Sequence, residues 1–347
     1  MVRHRRDGQD RRGLRRRRPG MREIQGVGSV DWKSYYRREL TLAESRGRLV
    51  EWLEAGADGR VDAALRRGAV VSFPHTAMAY AGPLQAAVVS SLYRGGVESV
   101  IALGVLHSGS LPIYQCALDE RRSPEERARA FDVVCGAFGA RASAIETPFG
   151  RHPTASNEPA LFRTDQAVLP ESEFSLDTFV SIMRLAADVF GKPPIPVELV
   201  FVGMTRHPVT GSFEEARSLA DRLRRRVSSS TAIVATGDLV HYGTAYGLSE
   251  SDAEDVDSTD LERTLRSELE TTLDLATNHR DLEGAYQRSR HVLMNDQREL
   301  LAVIVECLGE RSGFEIIRLG FSDYTEILSV PPPCLVASAL VVYGCDA

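Results

Sequence analysis

Apolar and polar positions along the chain follow two periods, which predict strands that alternate with helices. Short apolar runs rich in β-branched residues predict buried strands at 70–73, 97–105, 197–204, 231–236, 314–319 and 335–342. Apolar residues at helical spacing predict helices at 32–67, 82–94, 123–138, 171–190, 212–227, 261–275 and 281–308. This alternation is typical of an α/β sheet that is covered by helices on both faces.

Two of the predicted strands lead directly into a histidine. The first ends at Pro74, which cannot continue a central strand, so His75 lies where open α/β sheets bind their ligands. The run at 97–105 leads in the same way to His107. Because the helix at 82–94 separates them, the two runs predict a strand-helix-strand unit. If its strands are parallel neighbours, both imidazoles face one crevice.

A third strand, at 231–236, is followed by Gly237, Asp238 and His241. Most single histidines are satisfied polar residues, but three at equivalent positions favour one shared site. His75, His107 and His241 are therefore candidate metal ligands. In the alternative interpretation His241 is a general acid or base, and Asp238 orients it by accepting its other N–H.

Charge is unevenly distributed along the chain. Residues 1–20 hold nine arginines, whereas the whole chain of 347 residues has a net charge of −6. We expect a disordered tail at 1–20, or a true start at Met21, with a functional basic arm as the less favoured alternative. Residues 21–347 are expected to form a single α/β domain. Because this body is acidic, no nucleic-acid partner is expected.

Neither a membrane partner nor an oxidising compartment is expected. No run of the chain reaches the roughly 18 consecutive apolar residues that span a bilayer, and the N-terminus lacks the apolar region of a signal peptide. The five cysteines are scattered and show no C-x-x-C spacing. They are typical of reduced thiols, which predicts a cytoplasmic protein.

Four segments, taken in order, resemble the motifs of the Memo family. They are PHTAMAYAGP at 74–83, GVLHSG at 104–109, EFSLD at 173–177 and DLVHYG at 238–243. Bacterial and archaeal members of this family are called protein B of the AmmeMemoRadiSam system. The family is related in fold to the class III extradiol dioxygenases, which use non-haem iron(II). The resemblance extends from about Val70 to Tyr343.

The resemblance implies a fold, a site and a class of activity. The fold is a three-layer αβα sandwich with a central, mostly parallel or mixed sheet. The site is a metal crevice lined by His75, His107 and His241, with iron(II) favoured and zinc or copper as alternatives. The activity is that of a metal-dependent oxidoreductase acting on a small molecule or peptide, with partner proteins of an AmmeMemoRadiSam-type system. The alternatives are a non-catalytic protein that recognises a peptide or partner protein, and a zinc hydrolase.

The sequence departs from the family pattern at two positions. Asn295 stands where members commonly have a cysteine, and Phe174 stands where they have a histidine. If Asn295 takes the cysteine's place, Asn295→Cys should strengthen iron(II) binding, because a thiolate is the stronger ligand. The alternative is that His291 becomes the ligand. Of the remaining polar residues, Glu173 is expected to be an exposed carboxylate in a first helical turn, with a position in the crevice as the alternative. Tyr242 is expected to be a packed aromatic, with a hydrogen bond to substrate as the alternative.

Overall fold

The computed structural model describes residues 30–56, 58–107, 112–139, 143–155, 173–248 and 258–345. Within these ranges the chain is a mixed α/β structure with a large central sheet flanked by helices, which confirms the predicted fold class. The basic segment at 1–20 lies outside the described residues.

Ten strands are present in the described ranges, eight of them in the central sheet. In chain order they are β1 Val70–Phe73, β2 Ser99–Val105, β3 Ala137–Gly139, β4 Ala144–Thr147, β5 Gly150–Pro153, β6 Val197–Val202, β7 Thr231–Thr236, β8 His241–Tyr242, β9 Phe314–Asp323 and β10 Leu335–Tyr343. The sheet has the order β3-β6-β2-β7-β1-β10-β8, with β9 also paired to β10. Strands β4 and β5 form a separate hairpin.

The helices lie before and between these strands. They are Trp32–Thr41, Ala43–Ala55, Gly59–Arg66, Met78–Arg94, Pro112–Leu118, Pro124–Val134, Asp177–Phe190, Glu214–Arg224, Ser258–Thr277, Leu282–His291, Arg298–Leu308 and Thr325–Leu328. Among the described residues, none of these helices is both long and apolar enough to cross a membrane.

The strands that lead to the candidate residues are parallel, but their order differs from the simplest expectation. Strand β7 lies between β2 and β1 and pairs with both in parallel register. Strands β1 and β2 are therefore not direct neighbours. All three still end at the same edge of the sheet, so His75, His107 and Asp238 follow three adjacent carboxyl ends. The long strand β10 then continues the sheet antiparallel to β1.

Each face of the sheet carries its own apolar core. Along β2, Ile101 and Leu103 belong to one cluster, and Val100 and Ala102 belong to the other. This alternation follows from the two-residue period of a strand. Helices cover both clusters, so the sheet is the middle of three layers.

Two predicted helices are shorter in the structure than their apolar pattern indicates. The helix after Ser123 begins with a capping box but ends at Val134, and β3 follows. The predicted helix at 281–308 is two helices, Leu282–His291 and Arg298–Leu308, interrupted by residues 292–297. Met294 in the interruption has a φ of 50°, a left-handed conformation that cannot continue a right-handed helix.

Candidate metal centre

The structure brings five histidine and aspartate side chains together at the carboxyl edge of the parallel strands. His75 follows β1, His107 follows β2, and Asp238 follows β7. The rings of His75 and His107 meet edge to face, with their centroids 5.1 Å apart. His241 comes from β8, and Asp296 comes from the interruption between the two helices after residue 281.

These five side chains form two overlapping groups that could hold a metal ion. One consists of His75, His107 and Asp296, and the other of Asp238, His241 and Asp296; within each group the ligand atoms lie within 4.8 Å of one another. Asp296 belongs to both groups. The predicted ligand set of the three histidines stays a prediction. In this structure Asp296 completes the group that contains His75 and His107, and His241 belongs to the other group.

His75 is oriented by the end of the neighbouring strand. Its side chain is 3% exposed, and its Nδ1 lies 3.0 Å from the hydroxyl of Thr236. That hydroxyl donates its own hydrogen to the carbonyl of Phe73, so it accepts from Nδ1–H. A neutral His75 therefore carries its free lone pair on Nε2.

His107 is oriented by Glu173. Its Nδ1 lies 3.1 Å from Glu173 Oε1, and its backbone N–H donates to Oε2 at 2.7 Å. The N–H groups of Phe174 and Ser175 also donate to Oε1, both at 2.8 Å. Burial raises the pKa of Glu173, but the neighbouring His107 and these donors lower it to about 2. An ionised carboxylate only accepts, so the Nδ1 of His107 carries the hydrogen, and in the neutral ring the lone pair is on Nε2.

The structure corrects the expectation for Glu173. The residue is 3% exposed and precedes the helix that begins at Asp177. It is therefore not an exposed carboxylate of a first helical turn. Its oxygens are used by three backbone N–H groups and one imidazole, which makes it the partner that positions His107.

His241 is oriented by a backbone carbonyl rather than by Asp238. Its Nδ1 lies 2.9 Å from the backbone carbonyl oxygen of Met294, and its backbone N–H donates to the carbonyl oxygen of Leu293. The expectation that Asp238 accepts from His241 was wrong. Asp238 instead accepts the backbone N–H of His75 through Oδ1. The acceptor at Nδ1 places the lone pair of a neutral His241 on Nε2, the atom that could bind a metal.

Asp296 is held in place by an anchored loop. Its Oδ1 accepts the N–H of Asp238 at 2.7 Å. The next residue, Gln297, is fully buried and bonds to Ser72 through its amide nitrogen and to Tyr343 through its oxygen. Gly237 allows this close approach, because a Cβ there would lie 2.6 Å from Gln297 Cβ. The loop is thus fixed onto the central strands of the sheet.

Asn295 shapes this loop through its side-chain amide. Its Oδ1 accepts the N–H of Gln297 at 2.7 Å, an Asx turn that directs the chain into the following helix. The alternative ligand, His291, is exposed at the end of its helix. Within this segment Asp296 is therefore the residue that the geometry supports as a ligand.

The charges at the centre favour a bound cation. The Nε2 of His75 lies 3.2 Å from Asp296 Oδ2 and 3.6 Å from Asp238 Oδ2. Adjacent ligands of one ion, with bonds of about 2.1 Å, are separated by about 3.0–3.4 Å. A lone pair facing two buried carboxylates is unfavourable unless a proton or metal ion lies between them. Burial lowers the pKa of His75, but Asp238 and Asp296 together raise it to about 9.

Aromatic rings enclose the histidines. Phe174 stacks on His107 with the ring centroids 4.2 Å apart, and Tyr36 packs against Phe174 with the centroids 5.4 Å apart. Tyr246 lies 4.7 Å from His241. Tyr242 is buried in the core, as expected for a packed aromatic. These rings lower the polarity around the site and so strengthen its electrostatic interactions.

Sequence reasoning missed the role of Asp296 and the orientation of Glu173. The signal for Asp296 was its position next to Asn295, the residue that stands where the Memo-family pattern has a cysteine. The unbroken apolar period of 281–308 concealed it, because that period predicts one continuous helix in which Asp296 would be only one of several polar positions.

Comparison with models of known protein families finds no match, and comparison with curated proteins also finds none. The assignment of a function therefore depends on the geometry of the centre and on the motifs in the sequence.

Proposed function

We propose that this protein is a Memo-like, non-haem iron(II)-dependent oxidoreductase of the extradiol-dioxygenase-like type. In this proposal the iron is held by His75, His107 and Asp296. The observation that carries it is the grouping of two imidazoles and one carboxylate, with ligand atoms within 4.8 Å, at the carboxyl edge of a parallel sheet. Open α/β sheets bind their ligands at this edge.

The donor set suits iron(II). Two histidines and one carboxylate that occupy one face of the metal leave positions open for substrate and dioxygen, as in non-haem iron oxygenases. A carboxylate is a harder donor than the cysteine of the Memo family, so it favours iron(II) over copper(I). The Nδ1 atoms of both histidines already have acceptors, which directs Nε2 to the metal.

Other residues of the chain have defined parts in this proposal. Glu173 and Thr236 hold the two imidazoles in the tautomer that can bind the metal. His241, with its Nδ1–H donated to Met294, carries its lone pair on Nε2 beside the same centre. The aromatic rings of Phe174 and Tyr246 exclude water from this part of the centre. When bound, the metal supplies the activation of dioxygen and substrate.

Anaerobic titration tests the metal part of the proposal. Iron(II) is added to the wild type, to His107→Gln and to Asp296→Asn, and binding is measured by calorimetry. Both substitutions should weaken binding at least about tenfold. His279→Gln is the matched control, since His279 pairs with Asp274 on the surface. Unchanged affinity in both ligand variants would contradict the proposed centre.

The oxidoreductase part needs a second experiment. Nitric oxide added to the iron-loaded protein should give the spectrum of an iron–nitrosyl centre, because it occupies an open position where dioxygen would bind. Oxygen consumption with a panel of catechols then tests turnover. Iron binding without nitrosyl formation or oxygen uptake would exclude the enzyme and leave the binding protein.

A non-catalytic, peptide- or protein-binding function is the second candidate. It is favoured by Phe174, which stands where Memo-family members have a histidine and which stacks directly on His107. A phenyl ring at this position can neither bind a metal nor transfer a proton. Phe174→His separates the candidates. If the protein is an enzyme, the substitution should change its activity. If it is a binding protein, the substitution should leave its iron content unchanged.

A further inference from the structure

Asp296 lies between two sets of potential ligands, and only one of them is used by the proposed iron. The other set consists of Asp238, His241 and Asp296, and its ligand atoms also lie within 4.8 Å of one another. The ligands of one ion, bound at about 2.0–2.3 Å, are separated by at most about 4.6 Å. Within 4.8 Å the five side chains form two groups rather than one, so their ligand atoms, as placed, do not all surround a single ion.

The second set is prepared for a ligand in the same way as the first. The Nδ1–H of His241 is donated to the carbonyl of Met294, which frees Nε2. Asp238 is 4% exposed, and its Oδ1 accepts the N–H of His75. Its Oδ2 lies 3.6 Å from His75 Nε2, which is too far for a hydrogen bond. Asp238 Oδ2 and the Nε2 lone pair of His241 are therefore the two ligand atoms that accompany Asp296 in this set.

We propose that the protein binds a second divalent metal ion through Asp238, His241 and Asp296, so that Asp296 bridges a two-metal centre. The inference rests on the proposed iron site, because the two groups share Asp296. The Asp238 N–H donates to Asp296 Oδ1, which sets the plane of the bridging carboxylate, while Oδ2 faces His75.

The second ion is of the iron(II), manganese(II) or zinc class, because its donors are two carboxylates and one imidazole. In carboxylate-bridged centres two ions lie about 3.5–4 Å apart.

Cobalt(II) is the probe for the test, because the number of bound ions per chain can be determined by metal analysis and its unpaired electrons give a spin-resonance signal. Wild type, His107→Gln, His241→Gln and Asp238→Asn are loaded anaerobically with cobalt(II) and washed by ultrafiltration. Metal is then measured per chain. His279→Gln again serves as the control, and circular dichroism shows that each variant is folded.

The expected result is two ions in the wild type and the control, and one ion in His107→Gln, His241→Gln and Asp238→Asn. The spin intensity per cobalt should be lower in the wild type than in the single-ion variants, because bridged ions couple. One ion in the wild type overturns the two-metal centre, and the proposed iron site stands if His107→Gln removes that ion. No bound cobalt in folded wild type overturns both proposals.

Discussion

Replacing Glu173 with glutamine is the sharpest test of how the centre is oriented. Glutamine has nearly the same shape as glutamate, but one carboxylate oxygen becomes an NH2 group. Oε1 accepts the N–H groups of Phe174 and Ser175, so it is best kept as the amide oxygen. The new NH2 group then faces the backbone N–H and the Nδ1 of His107.

Two consequences follow for His107. The NH2 group cannot accept its backbone N–H, which loses a charged acceptor at 2.7 Å. The Nδ1–H of His107 keeps Oε1 as its acceptor at 3.1 Å, but this oxygen now belongs to a neutral amide, and the NH2 group 3.3 Å away competes for Nδ1, so the tautomer that presents Nε2 to the metal is held less firmly. Iron(II) affinity should fall about 10–100-fold, as is typical when the partner of a metal-binding histidine is lost.

The stability of the metal-free protein should also fall. The folded pKa of Glu173 is about 2, below its ordinary value of 4.5, so the carboxylate stabilises the fold above pH 4.5. This contribution is lost as the pH falls from 4.5 towards 2. A difference of this size corresponds to roughly 3 kcal/mol, in the upper range for hydrogen bonds to a buried charged group.

Urea unfolding of chelator-treated protein at pH 7 and at pH 3 measures this contribution. The free energy of unfolding of the wild type should exceed that of Glu173→Gln by roughly 2–3 kcal/mol at pH 7 and by clearly less at pH 3. Asp177→Asn is the matched control, because Asp177 lies nearby and faces Lys33 at 3.7 Å rather than His107. The reasoning is refuted if Glu173→Gln and Asp177→Asn have the same iron affinity and the same stability at pH 7.

Four other outcomes can be measured. His152 is fully buried, and burial lowers its pKa to about 4. The free energy of unfolding should therefore fall by up to roughly 3 kcal/mol between pH 6.5 and pH 4, and urea titrations at both pH values should show a smaller fall in His152→Gln. Asn295→Cys should weaken iron(II) binding in calorimetry, because it removes the acceptor of the Gln297 N–H; stronger binding would restore Asn295 as the ligand position. Gly237→Ala should lower the free energy of unfolding by about 1–3 kcal/mol, since its Cβ would overlap Gln297. Deleting residues 1–20 should leave the melting temperature almost unchanged, and a drop of more than a few degrees would show that the segment packs.

The fold class and the position of the site could be predicted from local patterns. Alternating strands and helices indicate an α/β sheet without knowledge of any distant contact, because each period reflects burial on one side of an element. Pro74 ends β1, and a histidine therefore follows at the carboxyl end of the strand. The positions of His75, His107 and Asp238 at one edge follow from the same rule, whichever strands are neighbours.

Tertiary structure alone decided which atoms at this edge face one another. The apolar period of 281–308 indicates one helix, and only packing on the sheet shows that Met294 breaks it and that Asp296 enters the centre. The acceptors of the histidine Nδ1 atoms are a hydroxyl, a carboxylate and a carbonyl, of which Glu173 lies 66 residues from its partner. Hydrogen bonds of this kind depend on distances of a few tenths of an ångström between separate segments. No periodicity in the sequence encodes such distances, whereas the apolar runs that form the buried strands are continuous stretches of the sequence itself.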